Sequence, residues 1–439
     1  MAETYALTDT IYALSSGSGK GGVAIIRVSG HQVRTVLKDL AHLDEPQPRY
    51  AYFRAIGTTQ ILDHALVLYF QAPNSFTGED VAEFQVHGGR AVIQSILEAI
   101  GNIPGCRPAD RGEFSRRAVI NGKMDLTEAE GLLDLINAET ERQRALALNQ
   151  MTGNLATLYD GWRSDLTRHM AYLEAFIDFP EEAIPPEKLN TIDADIRSLI
   201  DKINTHLNDN RAGERLRDGF YIAIVGAPNV GKSSLINALT HRDVAIVSQI
   251  AGTTRDVVEA HLDVAGFPVI LADTAGLREQ ADTIETEGIK RAVRKASDAD
   301  LILHIQDGTR WPQADLLPDV LNQKTVLTVW NKSDLMTTKP DGLVISAKTG
   351  NGISNLWNHI QGVLERDFGQ RDNALITRER YRVALTDCVR NLTHALTVSE
   401  LELKAEDLRL AARCLGRITG RIDAEDLLDV IFRDFCIGK

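Results

Sequence analysis

The chain has 439 residues, a formal net charge of −13, and 44% hydrophobic and 25% charged residues, an ordinary composition for a protein folded in water. At roughly 100 to 200 residues per domain the length predicts two to four domains, which excludes a small scaffold that needs disulfides or a metal to stand in for a core. The acid excess excludes a protein that coats nucleic acid by counterion release, a mode that requires dense clusters of Lys and Arg.

The N-terminal stretch MAETYALTDT lacks the basic and apolar regions of a leader, and no apolar run approaches the roughly 18 residues of a membrane span. Cys106, Cys388, Cys414 and Cys436 show no CxxC spacing and read as reduced thiols. The expectation is a cytoplasmic protein with no membrane partner.

In chain order, residues 1–120 alternate β-like runs (GGVAIIRV, HALVLYF, VAEFQVH) with one helical stretch, AVIQSILEAI, which predicts a mixed α/β domain. From Asp125 apolar residues recur at helical spacing, with Thr127 and Glu130 read as a capping box. The proline-bearing stretch 179–186 interrupts this pattern before a further helix near Leu189–Asn210. At Gly219 an apolar run, a glycine-bearing loop and a helix begin a strand-and-helix alternation, predicting a doubly wound nucleotide-binding domain. Helical periodicity returns after Asp372. The residues that remain are few for an independent core, so they are predicted to pack with the earlier helices. The expected domains are 1–120, 121–215, 216–372 and 373–439, the second and fourth forming one discontinuous helical domain into which a P-loop domain is inserted.

Gly226–Ser233 fits GxxxxGK[ST] between a strand and a helix. In such a loop the backbone N–H groups of Asn229, Val230, Gly231, Lys232, Ser233 and Ser234 cradle phosphates, Lys232 reaches the β/γ-phosphates and the Ser233 hydroxyl binds Mg²⁺. DTAG follows at the end of another strand; Asp273 stands where the Mg²⁺ shell is held, beside Thr274 and Ala275, with the Gly276 N–H toward a γ-phosphate. NKSD supplies Asn331, Lys332 and Asp334, whose carboxylate can accept two hydrogen bonds from guanine that adenine cannot offer. SAK, Ser346, Ala347 and Lys348, adds a base contact. The set reads as GTP rather than ATP.

These motifs resemble those of TrmE-Era-type GTPases. By that resemblance GTTRD at Gly252–Asp256 is switch I, with Thr254 closing on Mg²⁺ and Gln249 and Ala251 beside the nucleotide. Ras-type GTPases orient water with a glutamine directly after DTAG; here that position is Leu277. The resemblance implies a K⁺ held by Asn229, Ser248, Ile250 and Thr253, acting on transition-state charge as an arginine finger does. Of Glu279, Glu285 and Glu287, it selects Glu285 to position water.

The flanking runs DTIYAL, GKGGVAIIRVSG, PNSFTGEDVAEFQVHGG, RGEFSRRA, NGKMDLTEAEGLLDLI and FCIGK identify the chain as a member of the MnmE (TrmE) family of tRNA modification GTPases. The resemblance implies a folate-binding N-terminal domain that takes a 5-formyl- or methylene-tetrahydrofolate through Arg27, Glu83, Lys123 and Lys439. A carboxylate can pair with pterin N–H donors, and cations suit the glutamate tail. It implies a catalytic or substrate-positioning role for Cys436, a homodimer through the N-terminal domain, an FAD-dependent partner, MnmG (GidA), and addition of an aminomethyl or carboxymethylaminomethyl group to the wobble uridine of certain tRNAs. The chain departs from the family pattern at Ser15–Lys20, Arg111, Arg433 and Asp434. The rivals are a ribosome-assembly GTPase of the Era/Der type, which leaves the N-terminal runs unexplained, and a non-hydrolysing scaffold. His64 and His87 are assigned no role.

Charge is unevenly spread, with 11 basic against 12 acidic residues in 1–120 and 16 against 20 in 216–372. The nearly neutral N-terminal domain, with Arg107, Arg111, Arg116 and Arg117 close in sequence, is therefore the expected tRNA face, much of the grip coming from a partner.

Overall fold

The computed structural model describes residues 9–17, 19–178, 187–240, 259–273, 296–321, 324–338, 340–369, 375–422, 428 and 431–438. Near its start, alternation within β2 (Gly21–Ser29) sends Ala24, Ile26 and Val28 to one face of a sheet and Arg27 and Ser29 to the other. With β1 (Thr10–Leu14), β3 (Tyr52–Ile56), β4 (Asp63–Phe70), β5 (Val81–Gly88) and β6 (Cys106–Pro108) it forms a six-stranded sheet in the order β3-β4-β5-β2-β1-β6. Neighbours are antiparallel except β1 and β6. Helices α1 (Val33–Ala41) and α2 (Arg90–Gly101) bury the first face, where Ile26, Leu37, Val67, Phe84 and Ile96 share a core. Phe114 of α3 (Glu113–Ile120) packs with Ile11 and Ala13.

The helical run from Asp125 is three helices: α4 (Leu126–Asn137), α5 (Glu141–Met151) and α6 (Asn154–Asp178). The capping box at its start is a correction. Asp125 Oδ1 accepts from the Thr127 and Glu128 N–H groups at 2.7 and 2.9 Å, and Glu128 Oε2 accepts from the Asp125 N–H at 2.8 Å. Thr127 and Glu130 are instead buried within the helix, because the residue just ahead of the first turn is the one placed to satisfy its free N–H groups. A second box, Thr140 with Gln143, starts α5. Helices α7 (Glu187–Leu207) and α8 (Ala212–Asp218) follow.

The second sheet contains β7 (Phe220–Val225), β8 (Glu259–Val264), β9 (Phe267–Asp273), β10 (Leu301–Asp307), β11 (Val326–Asn331) and β12 (Leu343–Val344), in the order β12-β11-β10-β7-β9-β8. It is parallel except for the β8–β9 hairpin. Parallel strands covered on both faces need continuous apolar runs, as in β10, where every residue from Leu301 to Gln306 is buried. Helices α9 (Lys232–Thr240) and α10 (Ile353–Phe368) contribute Leu235 and Leu356 to its core, and α11 (Glu379–Ala395) and α12 (Leu401–Thr419) follow.

The chain divides into two compact units, Met1–Leu133 with Ala156–Phe179 and Glu400–Lys439, and Asp134–Leu155 with Pro180–Ser399. In the first, Arg421 of the C-terminal part pairs with Asp160 of α6. In the second, α11 packs on α7, and its Arg382 bonds Glu214 at 3.0 Å and the Leu207 carbonyl at 2.9 Å. There too the Arg142 guanidinium of α5 lies 3.8 Å from the centroid of Phe267 in the β8–β9 hairpin. Among the described residues, no helix is long and apolar enough to cross a membrane.

Candidate functional site

The buried strand β7 ends at Val225 and α9 begins at Lys232, leaving a six-residue connection whose conformation its glycines make possible. Gly231 has φ +98°, and a Cβ there would sit 2.3 Å from Asn331 Nδ2; a Cβ on Gly226 would sit 2.4 Å from the Ile305 carbonyl oxygen. Asn229 holds the left-handed region at φ 62°, which asparagine tolerates better than most residues. Val230 is buried, and Ser233 and Ser234 are exposed in the first turn of α9. Lys232 is folded over the loop, its Nζ donating to the Gly226 and Ala227 carbonyls at 2.8 Å each.

Asn331 braces three motifs at once. Its Nδ2 donates to the Val230 carbonyl at 2.8 Å, and its Oδ1 accepts from the Ala347 N–H at 2.9 Å, so the phosphate loop, NKSD and SAK are tied through one buried amide. Asp334 is exposed and receives a 2.6 Å hydrogen bond from the buried Ser346 hydroxyl. That bond, with the nearby Lys348 charge, holds the Asp334 carboxyl below the usual carboxylate range, so it meets a base as an oriented anion. Lys332 has φ 66° and pairs with Asp307 at 2.7 Å. Burial alone would raise the Asp307 carboxyl, but hydrogen bonds from Lys332 and Thr309 outweigh it and hold it low.

Asp307 and its neighbour Gly308 were not expected at this site. A Cβ on Gly308 would sit 2.5 Å from the Asn331 carbonyl oxygen; the signal was the acid that ends LILHIQD. The backbone of Asp273 ends β9, in register with Ile224 of β7. Ser248, Gln249, Ile250, Ala251, Gly252, Thr253, Thr254, Thr274, Ala275, Gly276, Glu285 and Lys439 lie outside the described residues. At Gly226 and Gly231 the loop packs so closely on Ile305 and Asn331 that only bare backbone fits.

In the N-terminal sheet, Arg27 and Glu83 are register partners on β2 and β5 and form a 2.9 Å hydrogen bond. The Arg27 guanidinium lies 5.3 Å from the Phe76 centroid and 5.7 Å from that of Phe114. Lys123 reaches the loop that carries Phe76: a Cβ on Gly78 would meet its Cγ at 3.2 Å, and Asn121 Nδ2 donates to the Thr77 carbonyl at 2.7 Å. Arg27 and Lys123 thus border one loop, and Glu83 is bonded to Arg27. Cys436 is exposed, its carbonyl accepting from the Gly112 N–H at 3.3 Å.

The arginine cluster requires a correction. Arg117 is 2% exposed and bonds Glu79 and Glu113, each at 3.0 Å, while Arg107 bonds Glu113 at 2.6 Å and Asp9 at 3.1 Å. Both are neutralised inside the domain because α3 places Glu113 one turn before Arg117. Arg117 is not available to a tRNA backbone, and Arg107 is half-buried and paired with two carboxylates.

A family model described as MnmE helical domain matches residues 126–436, and one described as GTP-binding protein TrmE N-terminus matches residues 10–123. The chain is 50% identical over 442 residues to the tRNA modification GTPase MnmE of Paramagnetospirillum magneticum, with 99% of this chain and 100% of that one covered. It is 52% identical over 440 residues to the tRNA modification GTPase MnmE of Parvibaculum lavamentivorans, covering 98% and 100%. The protein of the same name in Rickettsia rickettsii is 44% identical over 445 residues, covering 98% and 100%.

Proposed function

Since the chain belongs to the MnmE family of tRNA modification GTPases, we propose that it is a K⁺-stimulated GTP hydrolase that helps to modify the wobble uridine of certain tRNAs. The observation that carries the GTP reading is the Asp334 carboxylate, turned by Ser346 and tied through Asn331 to the phosphate loop. An Era/Der-type assignment leaves the N-terminal match at residues 10–123 without a purpose.

In this reading the N–H groups of residues 229–234 hold the phosphates, and Lys232 exchanges its two loop carbonyls for the β- and γ-phosphate oxygens. Ser233 and Thr254 hold Mg²⁺, with Asp273 toward its shell. Asn229, Ser248, Ile250 and Thr253 hold K⁺. The two cations supply charge neutralisation around the transferred phosphoryl group, and Glu285 positions the attacking water. Arg27, Glu83, Lys123 and Lys439 bind a tetrahydrofolate derivative that provides the one-carbon unit, Cys436 acting beside it. The protein works in the cytoplasm as a homodimer with the FAD-dependent MnmG.

Turnover should rise about 10²-fold when K⁺ replaces Na⁺, the scale of one well-placed charge on a transition state. Glu285→Ala should remove most turnover in K⁺ and leave GTP affinity unchanged. Equal turnover in both salts would exclude cation activation.

Lys123→Ala should weaken 5-formyl-tetrahydrofolate binding about fivefold, the scale of an exposed ion pair, without changing GTP affinity. Calorimetry showing unchanged folate affinity would remove Lys123 from the site.

A further inference from the structure

Between the phosphate loop and the base motifs lies the end of β10. In the sheet order β11-β10-β7 this strand separates β7, which opens the phosphate loop, from β11, which ends in Asn331 of NKSD. A nucleotide with its phosphates on that loop and its base at Asp334 must pass over the end of β10, in the crevice at the carboxyl ends of a doubly wound sheet. The residue there is Asp307, the register partner of Asn331. Its two carboxylate oxygens have separate partners. Oδ1 accepts from the Thr309 N–H at 3.0 Å and from the Thr309 hydroxyl at 2.7 Å, capping the short 3₁₀ turn Gly308–Arg310. Oδ2 accepts from Lys332 Nζ at 2.7 Å. The Asp307 side chain is 15% exposed and that of Lys332 30%, so the pair is largely sheltered from water and the ammonium is already neutralised.

Lys332 leaves the backbone at φ 66° directly after β11, and its pairing with Asp307 lays its methylene stem from the end of β11 to the end of β10. We propose that Asp307 is a positioning residue for the nucleotide: by holding the Lys332 ammonium it keeps the lysine stem across the crevice beneath the guanosine, between the base site and the phosphate loop. A stem free to turn has to be ordered each time a nucleotide binds, which lowers affinity. One tied down beforehand presents its apolar length to the nucleoside without that loss. The proposal rests on the base-site reading of Asp334 above.

The isosteric Asp307→Asn separates the two duties in the full-length protein. The Thr309 N–H still holds the asparagine oxygen as a cap, while the NH₂ group meets the Lys332 ammonium donor to donor. In titrations with GDP and a non-hydrolysable GTP analogue, Asp307→Asn should weaken both nucleotides alike by about five- to tenfold, the scale of ordering one long side chain on binding. Thr309→Val, which removes a hydroxyl bond from the cap and leaves Oδ2 with Lys332, should bind both as the unsubstituted protein does. In a Lys332→Met background Asp307→Asn should cause no further loss, because a residue that acts through Lys332 then has nothing to hold. The same loss repeated in that background overturns the positioning role, and so does an equal loss in Thr309→Val or a loss confined to the GTP analogue. An undiminished preference for GTP in Asp334→Asn removes the base-site reading and the proposal together, whereas a fall in that variant with none in Asp307→Asn overturns the proposal alone.

Discussion

Asp334→Asn should lower GTP affinity by about 10²- to 10⁴-fold and shift preference toward xanthosine triphosphate. The magnitude is that of one hydrogen bond to a charged acceptor, about 1.5–3 kcal/mol, together with about 1–3 kcal/mol for the guanine donor left unsatisfied. Asparagine keeps one acceptor oxygen but turns an NH₂ group toward a guanine donor, so one bond is lost and a donor faces a donor. Xanthine carries an oxygen where guanine has its amino group and accepts from that same NH₂. The effect is large because the native carboxylate is not free to turn: the Ser346 hydroxyl holds one oxygen at 2.6 Å, and Ser346 is itself buried. Fluorescence titration with the two nucleotides checks this, and an undiminished preference for GTP in the variant would take Asp334 out of the base site.

The phosphate loop was legible because its chemistry restricts residue type at fixed spacing. Bare backbone at Gly226 and Gly231, a cation at Lys232 and a hydroxyl at Ser233 leave a pattern that survives without any knowledge of the fold. What ties the loop to the base site was not legible. Asn331 bonds Val230, a hundred residues earlier, and Lys332 pairs with Asp307 on the neighbouring strand; such contacts follow from strand order, which periodicity does not reveal. The first helix cap failed for a different reason. Thr127 with Glu130 and Asp125 with Glu128 both fit the capping-box spacing, and only the buried positions of the first pair decide between them. Strand β6 spans just Cys106–Pro108, too short to carry a period.

The arginines near residue 110 show the limit of reading charge along a chain. Sequence neighbours on a helix face different sides, and α3 turns Arg117 into the domain and leaves Arg116 half-buried. Of the four, Arg111 is exposed, but its backbone bridges to Ile437 beside the tail. The nearly even charge of residues 1–120 therefore reflects internal pairing as much as a surface for RNA. With Arg117 buried and Arg107 half-buried in ion pairs, the expected tRNA face loses one of the cations that suggested it and has a second already neutralised.

Arg117→Met should cost the N-terminal unit about 3–5 kcal/mol, the range for removing one partner of a buried ion pair, and lower its melting temperature by on the order of 10 °C. Arg117 reaches the Asp9 carbonyl at 2.7 Å, Glu79 at 3.0 Å and Glu113 at 3.0 Å. Its loss strips charge compensation from two carboxylates, although Arg107 still holds Glu113 and the Ser29 hydroxyl still bonds Glu79 at 2.6 Å. The pH dependence has a definite sign. Burial would raise the Glu113 carboxyl, but hydrogen bonds from Arg107 and the Asp110 N–H, with the Arg117 charge, leave it below the usual range. A carboxyl lowered on folding stabilises the native state above its unfolded value near pH 4.3, and that stabilisation is lost as pH falls through the folded value. With Arg117 gone the folded value rises, so Arg117→Met should begin to lose stability on acidification at a higher pH than the unsubstituted protein. Melting curves at pH 7, 5 and 4 measure both effects. Pairing Arg117→Met with Glu79→Gln should recover part of the loss, because it removes the uncompensated charge; equal melting temperatures for Arg117→Met and the unsubstituted protein at pH 7 would show that the buried pair carries no stability.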